Sequence, residues 1–372
     1  MKITCNREKL LTAFRIASPV APIRSPKPIL QNIKLEAANG GLTLLATDME
    51  VGIRVSVEDV EIEQEGSAVL PVGRLGPILS ENSSEKMRIT ADPHGAVIRG
   101  ERSEYKLPSA NPDEFPSVPT FTSQRYHQLP ARLLREMIHR TSYATDNESG
   151  RFALGGVLFE FEESKIVAVA TDGRRLAKME GAAESVGEHH KIDTQTIIPT
   201  RATQLIERAL ALDLDQIVKI SSAANEVIVQ APRVMIVSRL VEGRFPRWRD
   251  VIPSYASATS VPLTVGPMYS AHRQASIVTS EDSRSIDFTF AEGSLTLEAS
   301  SQENGKSRVE MPITYDGQKI VVSLDNIFVA DFFKVLDPQM NFRLEVQDED
   351  APAVFLTDDG YTSVIMPMAR DR

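Results

Sequence analysis

One order of elements recurs three times along this chain, and that recurrence limits its folds more than any other feature. Each occurrence opens with an amphipathic helix, passes through strand-like runs to a second short helix, and closes on further strands. In the first, Asn6 caps a helix reaching Ala17, with Leu10, Leu11, Phe14 and Ala17 on one face. The runs Gln31–Ala37 and Leu42–Asp48 flank an Asn-Gly-Gly turn, followed by one longer alternating run, Val51–Ile62. A helix over Pro71–Ser80, a strand at Met87–Ala91, a Pro93-His-Gly turn and strands to Leu107 complete it. The second occurrence has helices over Pro130–Tyr143 and Thr200–Ala211 and strands at Gly156–Glu162, Ile166–Thr171, Ile217–Ser221, Val227–Gln230 and Val234–Leu240. The third has helices over Gly266–Thr279 and Asp325–Leu336 and strands at Ser285–Phe290, Leu295–Ser300, Phe342–Val346, Val354–Thr357 and Tyr361–Met366. Proline-bearing connectors, Pro108–Pro119 and Phe245–Pro253, separate the three. The reading is α+β: three similar domains, 1–124, 125–253 and 254–372, each with two helices on antiparallel sheets.

Composition narrows the function classes. At 42% hydrophobic and 25% charged residues the chain is an ordinary globular one. No apolar run approaches the roughly 20 residues that span a bilayer, so no membrane role is expected. The first residues carry Lys2, Arg7, Glu8 and Lys9 and no apolar core, so no secretory signal is expected and the expected location is cytoplasmic. The single cysteine, Cys5, excludes an intramolecular disulfide and a cysteine-based zinc site.

Signatures of catalysis are sparse. The chain has no Walker loop, no GxGxxG after a strand, no HExxH and no GxSxG. His189-His190 lies in a polar loop and is not expected to hold a metal. The most enzyme-like features are two Thr-Asp pairs, Thr47-Asp48 and Thr171-Asp172, at equivalent places in two repeats. Paired carboxylates can do acid–base work or hold Mg²⁺. At the end of a strand, however, an aspartate more simply accepts backbone N–H bonds in a turn. No cofactor, metal or catalytic residue is expected.

Charge distribution says more than its sum. The net charge is −10, against nucleic acid on its face. The six helical segments nevertheless carry +2, 0, +2, +1, +1 and −1 in chain order, a total of +5, leaving −15 for the rest. Were the helices to share one surface, an acidic molecule would carry a basic face.

The chain resembles, from end to end, the family of bacterial DNA polymerase III beta subunits, the replicative sliding clamps. The resemblance is carried by Lys27-Pro-Ile-Leu-Gln-Asn32, Ala46-Thr-Asp-Met-Glu50, Glu114-Phe-Pro116, Val169-Ala-Thr-Asp-Gly-Arg-Arg-Leu-Ala177, Ser238-Arg-Leu-Val-Glu-Gly-Arg-Phe-Pro246 and Val364-Ile-Met-Pro-Met368, in order along the whole chain. It implies three DNA-clamp domains per chain, and a homodimer whose six domains close into a ring around double-stranded DNA without reading its sequence. Twelve helices about 10 Å wide, side by side, describe a circle about 38 Å across and leave a hole of roughly 28 Å.

The resemblance also implies sites. The matching DNA-facing positions are Arg24 and the segment 146–151 with Arg151, where Glu148 departs from the basic character expected. Helix candidates for the pore are Arg132, Arg135, Arg140, Arg201 and Arg273. A pocket for short peptides of the polymerase III catalytic subunit, clamp-loader subunits, other polymerases and repair proteins matches Leu154, Thr171, Gly173, Arg174, Arg175, Leu176, Pro246, Val251, Ile365, Met366, Pro367 and Met368. Asp250 and the tail Met368-Ala-Arg-Asp-Arg372 depart from the family pattern there. The dimer joint matches Ile277 and Val278 on one side and Arg74, Tyr105 and Leu107 on the other. Two other readings stand beside this one: a metal-dependent enzyme using the Thr-Asp pairs, and a monomeric peptide-binding scaffold.

Overall fold

The computed structural model describes residues 1–92, 95–146, 152–191, 195–253 and 259–369. Six α-helices occur among them: α1 Arg7–Ala17, α2 Val72–Glu81, α3 Ala131–Thr141, α4 Thr200–Leu210, α5 Val265–Ala275 and α6 Asn326–Lys334. None is long and apolar enough to cross a membrane. The chain packs as two compact units, one of Met1–Arg135 with Ala183–Leu240, the other of Glu136–Ala182 with Val241–Arg372.

In the first unit, α1 forms where expected. The Asn6 side chain accepts a hydrogen bond from the Lys9 N–H at 3.1 Å, and Leu10, Leu11, Phe14 and Ala17 are buried. Each fully buried side chain of this size is worth about 1.5–3 kcal/mol. A nine-stranded antiparallel sheet carries strands from the first and second repeats. Val234–Arg239 pairs with Val51–Val57, joining the repeats edge to edge. The alternating run Val51–Ile62 is divided. Asp59, at φ +54°, turns the chain, and Val60–Gln64 leaves for a five-stranded sheet against Lys2–Asn6. The connector Pro108–Pro119 is not a free linker either: Phe115 and Val118 are buried with Leu45, Val69, Met235 and Val237. Gly52 makes room for it, since a Cβ there would lie 2.9 Å from Val118.

The second unit repeats the device. Its large sheet runs Gly156–Phe161, Lys165–Thr171, Arg175–Ala182, Tyr361–Ile365, Ala353–Leu356, Asn341–Val346 and Thr259–Thr264, so Arg175–Ala182 of the second repeat pairs with Tyr361–Ile365 of the third. An aromatic cluster underlies it, with Phe332 4.8 Å from Phe355 and 5.7 Å from Tyr361, ring centre to ring centre. The helix expected over Gly266–Thr279 is α-helical only to Ala275; Ser276–Val278 tightens into a 3₁₀ turn.

Buried histidines make the fold acid-sensitive. His189 is fully buried, and its Nε2 accepts the Ser222 N–H at 3.0 Å. The neutral ring's proton then belongs on Nδ1, 2.7 Å from His127 Nδ1. Burial, with His127 and Arg125 nearby, lowers His189 to about 4; burial does the same to His272. The unfolded chain therefore binds protons that the folded chain refuses, so stability falls as pH drops below about 6.5 and goes on falling to about 4. The melting temperature should drop by several degrees between pH 7 and pH 5, before most carboxylates titrate. A flat profile across that window would contradict this assignment.

Candidate functional site

The tightest polar constellation in the second unit is built on a four-residue turn. Thr171 Oγ1 donates to the Arg175 carbonyl at 2.6 Å and accepts the Gly173 N–H at 3.0 Å. Asp172 Oδ1 accepts the N–H groups of Arg174 and Arg175 at 2.9 and 3.0 Å. Gly173 sits at φ +90°, a conformation that other residues adopt only with strain. The Arg175 guanidinium is fully engaged. It donates to Asp172 Oδ2 at 3.0 Å, Asp331 Oδ2 at 2.7 Å and the Tyr143 carbonyl at 2.9 Å. It also lies 4.4 Å from the Phe328 ring centre and 5.2 Å from that of Tyr143. Arg174 is exposed, and its guanidinium lies 5.2 Å from the Phe328 ring centre.

This turn holds the end of the last strand. Ile365, fully buried, stands opposite Arg175, and the Met366 N–H donates to the Arg174 carbonyl at 2.9 Å. Beyond it the Met368 N–H donates to the Ser323 carbonyl at 2.8 Å, so the segment is tied at both ends. Met366 is nevertheless 41% exposed, while Pro367 and Met368 are half-buried. The structure thus brings Thr171, Gly173, Arg174, Arg175, Leu176, Ile365 and Met366 together. Leu154 and Leu176 are buried; Pro246 and Val251 are exposed, in the stretch where Arg249 and Trp248 bond Glu160. Asp250 is exposed beside them. Sequence reasoning missed Tyr143, Phe328 and Asp331, which hold Arg175. Phe328 and Asp331 are three residues apart on α6, a spacing that places both on one helix face.

The first unit contains the same turn without the same setting. Thr47 Oγ1 donates to the Val51 carbonyl at 2.9 Å and accepts the Met49 N–H at 3.0 Å; Asp48 Oδ1 accepts from Glu50 and Val51 at 3.0 and 2.7 Å. The Arg239 N–H donates to the Glu50 carbonyl at 2.9 Å, as Met366 does to Arg174. Met49, at φ +81°, stands where the other turn has Gly173. Asp48 Oδ2 takes the Arg201 guanidinium. Both Thr-Asp pairs thus spend their oxygens on their own turns and a neighbouring arginine. Among the described residues no group of three His, Cys, Asp or Glu is arranged to hold a metal.

The basic side chains expected to face a duplex fall into three kinds. Arg24 and Arg273 are exposed, the first beside Ile23 (94% exposed), the second 5.1 Å from the Tyr269 ring centre. Arg132, Arg135 and Arg201 are at least partly exposed and each is near one carboxylate: Asp215 at 3.0 Å, Glu207 at 4.0 Å, and Asp48. Arg140 is a correction. It is 5% exposed, bonds Glu136 at 2.6 Å and Asp359 at 2.7 Å, and lies 5.4 Å from the Tyr361 ring centre, so its guanidinium is a strut with nothing left for a phosphate. Arg15 and Arg208, counted in the helix charge but not singled out, are exposed. Arg151 and Glu148 lie outside the described residues, as does the tail beyond Ala369.

Of the residues expected at a joint, Ile277 is 77% exposed and Val278 half-buried. Arg74 is exposed on α2. Tyr105 and Leu107, half-buried, lie on Glu104–Leu107, the last strand of the five-stranded sheet. Gly305–Pro312 is likewise the last strand of a four-stranded sheet, so each unit has an open edge among its described strands.

Comparison with known proteins covers the whole chain. Family models described as the N-terminal, central and C-terminal domains of the DNA polymerase III beta subunit match residues 1–119, 128–247 and 249–369. The beta sliding clamp of Chlamydia muridarum is 27% identical over 99% of both chains. Among solved structures, a Pseudomonas aeruginosa DNA polymerase III subunit beta bound to griselimycin superposes with a TM-score of 0.92 at 24% identity, covering all of both chains. The Bacillus subtilis DNA polymerase sliding clamp gives 0.91 at 23% identity, over 100% of this chain and 99% of that one.

Proposed function

Because the chain belongs to the DNA polymerase III beta-subunit family, matched in all three domains, we propose that it is a processivity clamp of DNA replication. The full-length match is the observation that carries this reading. On it, two copies close head to tail into a ring in the cytoplasm. The ring encircles duplex DNA and tethers the polymerase III catalytic subunit. The clamp has no chemistry of its own; its work is to turn a dissociating enzyme into a tethered one. The exposed arginines Arg24, Arg132, Arg201 and Arg273 and the half-buried Arg135, with Arg151 in the loop, face the phosphates, and the acidic remainder disfavours DNA elsewhere.

Partner peptides of the polymerase, the clamp loader and repair proteins dock at the Thr171–Leu176 turn, with Met366 as the adaptable apolar contact. The pocket takes in Leu154, Pro246, Val251, Ile365, Pro367 and Met368. Its support is the arrangement of an exposed methionine on a backbone tied at both ends, beside a turn locked by Arg175. Changing Met366 to lysine should abolish binding of a polymerase-derived peptide, because docking would desolvate a charge at a cost of several kcal/mol. Dimer mass should be unaffected. Unchanged peptide affinity in a titration calorimeter would remove the pocket from this site.

The joint pairs the open edges Glu104–Leu107 of one copy and Gly305–Pro312 of the other, with Arg74, Tyr105 and Leu107 facing Ile277 and Val278. Ile277 is exposed in the single chain, so truncating it removes association energy and little folding energy. At about 1.5–3 kcal/mol per buried side chain and two joints per ring, Ile277→Ala with Val278→Ala should yield folded monomers of 41.0 kDa that still bind peptide. Sedimentation equilibrium at micromolar concentration reads this. A double variant that remains dimeric would contradict the joint, and a wild-type chain that stays at 41.0 kDa would favour the monomeric scaffold.

A further inference from the structure

The Thr171–Leu176 turn carries one charge that nothing in the chain answers. Asp172 and Asp331 both bond Arg175, and Asp331 also holds Lys334 at 2.8 Å. With Arg174 beside them, three cations stand against two carboxylates, and the unanswered cation is Arg174. It is exposed, and among the described residues no carboxylate oxygen lies within 4.0 Å of its guanidinium. Its place is nevertheless fixed. The Arg174 N–H donates to Asp172 at 2.9 Å, its carbonyl accepts the Met366 N–H at 2.9 Å, and its guanidinium lies 5.2 Å from the Phe328 ring centre. A guanidinium held against a ring keeps its N–H edge for another partner.

The surroundings set the kind of partner. Arg174 adjoins Met366, the exposed apolar contact, so a ligand laid on Met366 passes beside the guanidinium. On the Pro246–Val251 stretch Arg249 is spent on Glu160, and the exposed Arg247 and Asp250 are of opposite sign. Beyond Met368 the sign reverses: the cleft that it borders has five carboxylates against three cations. A planar fork of N–H groups without a partner of its own matches a carboxylate, which it binds through two parallel bonds.

Resting on the peptide-pocket reading above, we propose that Arg174 selects docking peptides bearing an aspartate or glutamate beside their apolar anchor, at the end that lies over the turn. The carboxylate takes the N–H edge of a guanidinium already placed by Phe328, so little side-chain freedom is lost on binding. A lysine there would meet a cation, and an acidic residue at the Met368 end would meet carboxylates. The selection is one-sided, and it fixes which way along the groove a peptide lies.

A charge swap across the contact tests this. The probe is a peptide of the polymerase III catalytic subunit, with Asp, Asn or Lys placed in turn at each position flanking its apolar residues. At low salt, Asp should bind about fivefold tighter than Asn on one flank only, and Lys more weakly than either. The preference should vanish in Arg174→Gln and turn to Lys over Asp in Arg174→Glu; both variants keep the main-chain bonds of residue 174. No preference for Asp at any position, a preference on both flanks, or one that persists in Arg174→Gln would each overturn the proposal. Met366→Lys separates its failure from that of the pocket reading. If Met366→Lys abolishes binding while Asp is nowhere preferred, the pocket is right and the selection wrong; if Met366→Lys leaves binding unchanged, both fall.

Discussion

Replacing Arg175 by alanine is expected to cost the second unit about 3 kcal/mol and to abolish peptide binding. Breaking a buried ion pair by removing one partner typically costs about 3–5 kcal/mol, because a charge is left uncompensated. Here the lower end applies. Asp331 keeps Lys334 at 2.8 Å, and Asp172 keeps the N–H groups of Arg174 and, still present in alanine, of residue 175. The Tyr143 carbonyl and ring face lose their partner altogether, while Phe328 keeps the Arg174 guanidinium 5.2 Å from its ring centre. Lysine should restore only part of the loss, since a compact ammonium cannot reproduce a planar fork held by three acceptors and two rings. Denaturant melts and peptide titration measure the two effects. A variant as stable as wild type would mean that the arginine is not what holds the turn against α6.

The helices were legible because each has an apolar stripe and two have a written start. Asn6 before α1 and Asp325 before α6 are N-caps whose side chains accept hydrogen bonds from Lys9 and Ile327. Strands buried on one face and bounded by turns were legible for the same local reason. What failed depended on partners far along the chain. Lys2–Asn6 looks too polar for a central strand, yet it sits between Val60–Gln64 and Lys86–Asp92. Gly305–Pro312 and Thr259–Thr264 end their sheets. An edge tolerates the polar face of the first and Pro262 in the second, so neither carries a strong strand signature. The run Val51–Ile62 reads as one strand, but its alternation changes phase at Glu58-Asp59, where the chain passes from one sheet to the other.

The candidate site shows the same division. Short motifs located the Thr171–Leu176 turn and the Met366 segment through resemblance, and the turn chemistry of Thr-Asp followed from local rules. Arg132 and Arg140 look alike in sequence, two arginines on one amphipathic helix. Besides Glu136 one turn before it, Arg140 bonds Asp359, 219 positions away, and lies over the Tyr361 ring, and those distant partners make it a buried strut. In the same way the three bonds of Arg175 run to Asp172, Asp331 and Tyr143, and no spacing rule reaches from 175 to 331.

The second large effect is topological, and it bears on the central claim that this chain slides on DNA as a closed ring. A ring about 28 Å wide inside encloses a duplex without gripping it, so retention rests on closure and only weakly on phosphate contacts. Protein loaded by an ATP-driven loader onto a nicked circular duplex should remain with the DNA through gel filtration, at low salt and at moderate salt alike. Cutting the circle once, far from any bound protein, should release nearly all of it through the free ends. Protein that stays on the linear DNA with unblocked ends, or that leaves the intact circle as salt rises, would contradict the account.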